Sequence, residues 1–150
     1  MANRYQAPLA LVRLALDQAA ETSGASTLPG YKDVLSDLAE PILENASRFA
    51  GEVLSPLNPV GDRSPSHCES NGVVTPPGFI EAYRRFREDG WASLATPEEY
   101  GGQGLPTLIA AAVIEMWGGA NPHLVFERDS VDVVLGQRAA RIWELLGHEE

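Results

Sequence analysis

Residues 96–116 read TPEEYGGQGLPTLIAAAVIEM, with three glycines crowded ahead of an apolar run. Either this loop holds a phosphate or it turns a corner. A dinucleotide loop needs G-x-G-x-x-G directly after a strand. Here Thr107 stands where the third glycine should follow Gly102 and Gly104. A Walker loop needs a lysine after its last glycine, yet Leu105 and Pro106 follow Gly104, and no Lys or Arg occurs between Arg87 and Arg128. The preceding residues SLATPEEY carry a proline and two carboxylates, so no buried parallel strand feeds the loop. A phosphate placed there meets Glu98 and Glu99 instead of a cation.

The corner reading uses each residue. Thr96 suits an N-cap, Pro97 the first helical position, and Glu98 and Glu99 complement the positive start of a single helical turn. Gly101 takes the left-handed conformation that stops the turn, and Gly104 frees the backbone before Pro106 or Thr107 opens the next helix. That helix, roughly 106 to 117, has Glu115 as its only charge and is predicted to be buried on nearly every side. It falls short of the ~20 apolar residues that span a bilayer.

Composition bounds the rest. A chain of 150 residues, 44% hydrophobic and 21% charged, suits one modest core. Its 21 acidic and 11 basic residues give a formal net charge of -10, which disfavours nucleic acid and anionic membrane surfaces as partners. Cys68 is the only cysteine, so neither an intrachain disulfide nor a thiolate zinc cage is available. The opening MANRYQAPLA shows no signal-peptide pattern, and a cytoplasmic location is expected by default.

The apolar period is helical along most of the chain, so the predicted fold class is all-α, a bundle-like helical domain. In APLALVRLALDQAAE, Leu9, Val12, Leu16 and Ala19 share a face, and TSGASTLPG follows as a link. A helical zone from 34 to 54 turns Leu38, Ile42, Phe49 and Val53 inward, with Pro41 near a start or break and Pro56 ending it. Residues 58–75 read as an irregular loop in which Asn71-Gly72 marks a tight turn. PPGFIEAYRRFREDGW is a further helix with Phe79, Ala82, Tyr83 and Phe86 on one face, Glu81 set to pair with Arg84 or Arg85, Gly90 as C-cap, and Trp91 folding back on the last turn. The expected core draws on Leu38, Ile42, Phe49, Phe79, Phe86, Trp91, Ile109 and Val113.

Other candidate sites are weaker. His67, His123 and His148 lack metal-ligand spacing. Glu98 and Glu99 are adjacent and point apart, so they cannot act as a facing acid and base. No G-x-S-x-G elbow occurs. Trp91, Trp117 and Trp143 lie on apolar faces or helix ends, where packing explains them better than stacking on a flavin.

The order of the pieces YQAPL, ILENASRFAGEVLSPLNPVGDR, GVVTPPGFIEAYRRFREDGWASLATPEEYGGQGLP and AAAVIEMWGGANPHL resembles the N-terminal helical domain of the acyl-CoA dehydrogenases. The likeness is closest to long bacterial enzymes of the 3-methylmercaptopropionyl-CoA dehydrogenase type and runs from Tyr5 to Leu124. The resemblance implies FAD-dependent α,β-dehydrogenation of an acyl-CoA in fatty acid metabolism. A carboxylate removes the α proton and the β hydrogen leaves as hydride to the flavin. It also implies that the base and the flavin cradle lie in a middle and a C-terminal domain, while this lobe walls the acyl chain.

The expectations are therefore an N-terminal arm and linker at 1–30, an acyl-CoA dehydrogenase N-terminal-like domain at 31–124, and a divergent amphipathic tail at 125–150. In that tail Val131, Val134, Leu135, Ile142, Leu145 and Leu146 recur at helical spacing. The chain is read as truncated after about residue 124 and inactive alone. No catalytic, cofactor-binding or metal residues are expected, FAD being the family's cofactor and not one this chain binds alone. Tyr100, Gly101, Gly102 and Gly104 are the candidate substrate-pocket wall. Partners are the missing domains or a second copy. The alternative is a stand-alone helical interaction module that binds itself or a full-length relative.

Overall fold

Helices supply most of the regular structure, and small residues decide where they meet. The computed structural model describes residues 5–28, 31, 34–70 and 72–122. In chain order these form helix α1 (Leu9–Thr22), a 3-10 turn (Ala25–Thr27), a π-helical turn (Val34–Leu38), α2 (Ala39–Phe49) and a second π-helical turn (Ala50–Leu54). Helix α3 (Ser55–Arg63), strands β1 (His67–Glu69) and β2 (Gly72–Val74) and helix α4 (Phe79–Glu88) follow, then 3-10 turns Trp91–Ser93 and Glu98–Tyr100, and finally α5 (Thr107–Ala120). The expected tail helix at 125–150, with Trp143 and His148, lies outside the described residues, as does His123.

Helices α2 and α5 form the centre. Ala39, Leu43, Ala46 and Ala50 are at most 1% exposed, as are Ile109, Val113 and Met116 of α5. Alanine at 46 lets Trp117 come close enough for its indole N–H to donate to the Ala46 carbonyl at 3.1 Å. Helix α1 adds Val12, Leu16 and Ala20, and α4 adds Phe79, Ala82 and Phe86. Each large apolar side chain so buried contributes roughly 1.5–3 kcal/mol. Phe49, Phe86, Trp91 and Trp117 form a tilted and edge-to-face cluster with ring centroids 5.2–6.3 Å apart.

Several sequence expectations need correction. Leu38 is 47% exposed and Ile42 only partly buried. The buried line of α2 runs one residue further on, through Ala39, Leu43, Ala46 and Ala50. A face chosen by its large side chains misses a contact that alanines make. Helix α5 is not covered all round, because Ala111, Ile114 and Glu115 are exposed. Trp91 is only half-buried and meets Phe49 and Trp117.

Pro56 does not end the helical zone. The π-helical turn passes into α3, where Pro56 occupies the first turn and Pro59 sits inside. Pro56 has no N–H to give to the turn before it, where the hydrogen-bond pattern changes from π to α. Pro59 has no N–H to give, either to Ser55 four residues back or to Leu54 five back. The side chain of Asn121, wholly buried, donates to the Leu54 carbonyl at 3.1 Å. The expected 58–75 loop thus contains the end of a helix and then a two-stranded hairpin. Glu69 pairs with Gly72, so the chain reverses within two positions as the tight-turn reading requires; Asn71 itself lies outside the described residues.

Helix α4 follows its reading closely. Phe79, Ala82 and Phe86 are buried, Tyr83 packs beside them, and Gly90 is left-handed at φ 79°. Arg84 is gripped by Glu81 and Glu88, and its hydrogen bond holds the Glu81 carboxyl below its usual range, helped by the charges of Arg84 and Arg85. At the N-terminal arm, the Tyr5 N–H donates to Ser55 Oγ at 3.2 Å and its ring lies against Gly119, where a Cβ would sit 2.9 Å from the hydroxyl. Burial there, and then Glu115, push the Tyr5 hydroxyl pKa up.

Candidate functional site

The glycine loop is closed by its own backbone. Five successive N–H groups donate inward: Gly101 to Glu98 (2.9 Å), Gly102 to Pro97 (3.1 Å), Gln103 to Ser93 (3.0 Å), Gly104 to Thr96 (2.9 Å) and Leu105 to Leu94 (2.9 Å). A phosphate loop offers such groups to its ligand. Here they are already engaged. Gly101 and Gly104 are left-handed, at φ 80° and 62°. Gly102 is needed for a different reason, since a Cβ there would lie 2.0 Å from the Thr96 carbonyl oxygen.

The expected Thr96 cap is absent. Pro97 takes the cap position with no side-chain hydrogen bond, and Thr96 contributes its carbonyl instead. The Glu98 side chain lies along Gly104, with Cγ 3.3 Å and Oε1 3.7 Å from the position of a Cβ. The place where a pyrophosphate would approach is therefore lined by a carboxylate and lacks free donors. The described residues of this loop do not fit a flavin dinucleotide. Gln103 completes the corner by donating to the Gly90 carbonyl at 2.8 Å, which ties the loop to the end of α4.

Two clefts flank the corner and share Trp91 and Leu94. One, of about 360 Å³, lies between the loop and α5; most of its lining side chains, Trp91, Pro97, Val113 and Ile114 among them, are apolar, with Thr96 as a polar member. The other, of about 470 Å³, lies between α2 with its π-helical turn and the end of α4, and mixes apolar and charged residues. The buried indole N–H of Trp91 finds no acceptor among the described residues, in contrast to that of Trp117. Such an orphan costs roughly 1–3 kcal/mol and calls for an acceptor from outside this set.

Of the candidate wall residues, Tyr100 is 76% exposed, Gly101 and Gly104 are exposed, and Gly102 is half-buried. They sit together at the corner but line neither cleft; their neighbours Thr96 and Pro97 do. His67 lies 3.4 Å from Glu69 and 3.4 Å from the Pro65 carbonyl, and no group of three or more His, Cys, Asp or Glu is placed to hold a metal among the described residues. No helix among them is long and apolar enough to cross a membrane. Sequence reasoning missed both clefts. Their walls come from segments far apart in the chain, and no signal within one segment points to them.

Comparison with known proteins agrees with the helical architecture. The profile of the family described as "Acyl-CoA dehydrogenase, N-terminal domain" matches residues 36–130. The chain is 36% identical over 117 residues to 3-methylmercaptopropionyl-CoA dehydrogenase of Ruegeria pomeroyi, covering 78% of this chain and 20% of the relative. It is 30% identical over 94 residues to a broad-specificity linear acyl-CoA dehydrogenase of Mycobacterium tuberculosis, covering 61% of this chain and 15% of the relative. The chain thus spans a fifth or less of the length of these curated relatives.

Proposed function

Since the chain belongs to the acyl-CoA dehydrogenase family through its N-terminal domain, we propose that it serves as the N-terminal helical lobe of a flavin-dependent acyl-CoA oxidoreductase and is inactive alone. The observation that carries this reading is the apolar cleft of about 360 Å³ beside the closed glycine corner. It is a wall without chemistry. Ile114, 37% exposed, is the apolar surface this cleft offers to an acyl chain, with wholly buried Val113 behind it. The corner at Tyr100, Gly101, Gly102 and Gly104 holds Thr96 and Pro97 at the edge of that wall. In this reading base and flavin cradle come from domains outside these 150 residues, and the location is cytoplasmic.

Complementation tests the reading. The purified chain is mixed with the R. pomeroyi relative from which the matching N-terminal segment has been deleted, and acyl-CoA oxidation is followed with an electron acceptor. Activity should need both parts, and Ile114→Trp should raise KM for longer acyl chains more than it lowers kcat. Activity from the chain alone, or none from the pair when both are folded and associated, overturns the proposal.

A second reading, a stand-alone helical interaction module, is favoured by Leu11 and Leu14 of α1, 63% and 56% exposed on adjacent turns. Light scattering separates the two. A defined homo-oligomer that dissociates on Leu11→Glu supports the module.

A further inference from the structure

Between α2 and α3 the helix changes register at one place, the turn Ala50–Leu54, and that place is tied from two sides. The Ser55 N–H reaches back five residues to the Ala50 carbonyl, one more than in an α-helix. Slipping this turn to the α pattern would rotate α3 by about 100° about its axis. It would carry the Leu54 carbonyl away from the Asn121 side chain and the Ser55 hydroxyl away from the Tyr5 N–H. Two hydrogen bonds to adjacent residues thus select the π register. Asn121 is wholly buried at the end of α5. Tyr5 stands on the N-terminal arm and is only partly buried.

Both helices that Tyr5 crosses make room for it. Its carbonyl oxygen lies 3.4 Å from where a Cβ on Gly51 would sit, and its ring packs on Gly119, where a Cβ would come within 2.9 Å of the hydroxyl. Glycine weakens a helix interior, yet one stands at each crossing. Beyond the seat, α3 is weakly held. Gly61 is its one buried residue, Pro56 and Pro59 give no N–H to its ladder, and the hairpin that follows is exposed at 67–69 and at 72–74.

We propose that the N-terminal arm is a latch on this register. Seated, Tyr5 holds the turn Ala50–Leu54 in its π form and fixes α3 together with the hairpin that α3 carries. Lifted, it leaves the register to Asn121, and α3 and the hairpin open as one unit while α2, α4 and α5 stay packed. Whatever takes up the arm at residues 5–8 therefore acts on a segment 50 residues away in sequence. The inference goes beyond the lobe reading, since it needs neither flavin nor acyl-CoA.

Hydrogen exchange of the full chain, read segment by segment by mass spectrometry, tests this. Tyr5→Ala should speed exchange at 55–63 and 67–74 at least tenfold, and at 79–88 and 109–117 less than twofold. Gly119→Ala, with Tyr5 intact, should push the ring from its seat and reproduce that pattern. Ser55→Ala removes only the acceptor of the Tyr5 N–H and should act on the same segments more weakly. Tyr5→Phe keeps the ring and the backbone bond and should match the parent. Acceleration spread evenly over all the helices, in Tyr5→Ala or in Ser55→Ala, would make Tyr5 an ordinary packing residue and overturn the proposal. No acceleration at 55–74, or an effect of Tyr5→Phe as large as that of Tyr5→Ala, would overturn it as well.

Discussion

Two segments of this chain are stocked with residues that interrupt helices, and they behave oppositely. Residues 96–106 contain Pro97, Gly101, Gly102, Gly104 and Pro106, and the helix breaks. Residues 55–63 contain Pro56, Pro59 and Gly61, and the helix continues. The difference lies in where the displaced hydrogen bonds go. In the first segment the backbone satisfies itself locally, with donors at 101–105 turned onto carbonyls at 93–98. In the second, the side chain of Asn121, 67 residues away in sequence, donates to the Leu54 carbonyl where the proline-bearing stretch begins, a tie from outside the segment. Proline need not end a helix whose backbone is also held from a distant element.

The hardest way to break this contrast is to add one methyl group to the corner. Gly102→Ala places a carbon 2.0 Å from the Thr96 oxygen, so backbone must move. A loss of about 3 kcal/mol is expected in urea unfolding. A loss under 1 kcal/mol would mean that the corner is open enough to host a ligand after all.

Asn121→Ala comes next. It removes a wholly buried side chain and its hydrogen bond to the Leu54 carbonyl, so a loss of about 1–3 kcal/mol is expected from the same measurement. Pro59→Ala sharpens the comparison, because it returns an N–H that can reach that carbonyl or its neighbour. In its background the cost of Asn121→Ala should fall by at least ~0.5 kcal/mol. Strict additivity would sever the link drawn between the two residues.

These two segments also mark how far the sequence was legible. Phe79, Ala82 and Phe86 on α4, the left-handed Gly90 and Gly101, and the start of α5 were readable because each depends on neighbours within one or two turns. The course of 55–63 was not, since its continuity rests on Asn121. The face of α2 was misjudged by one residue because the centre of the contact is built from Ala39, Ala46 and Ala50, whose small size matters more there than their hydrophobicity. The residues offered as a wall, Tyr100, Gly101, Gly102 and Gly104, line neither cleft, and the clefts beside them are assembled from segments far apart in the chain and have no signature within any one of them.

The smallest effect belongs to Thr96→Ala. Its sequence position suggests a cap worth about 1 kcal/mol, yet its side chain makes no cap hydrogen bond. A change within ~0.5 kcal/mol is expected. A loss of 1 kcal/mol or more would restore the capping role.

The central claim is that the glycine loop is a closed corner whose described residues offer no site to a flavin dinucleotide. Titration of the purified, ¹⁵N-labelled chain with FAD, following amide resonances and visible absorbance together, tests it most directly. The expected result is a colourless protein whose amides at 101–105 do not shift and exchange slowly with solvent. Saturable shifts at those amides, with flavin retained through gel filtration, would contradict it.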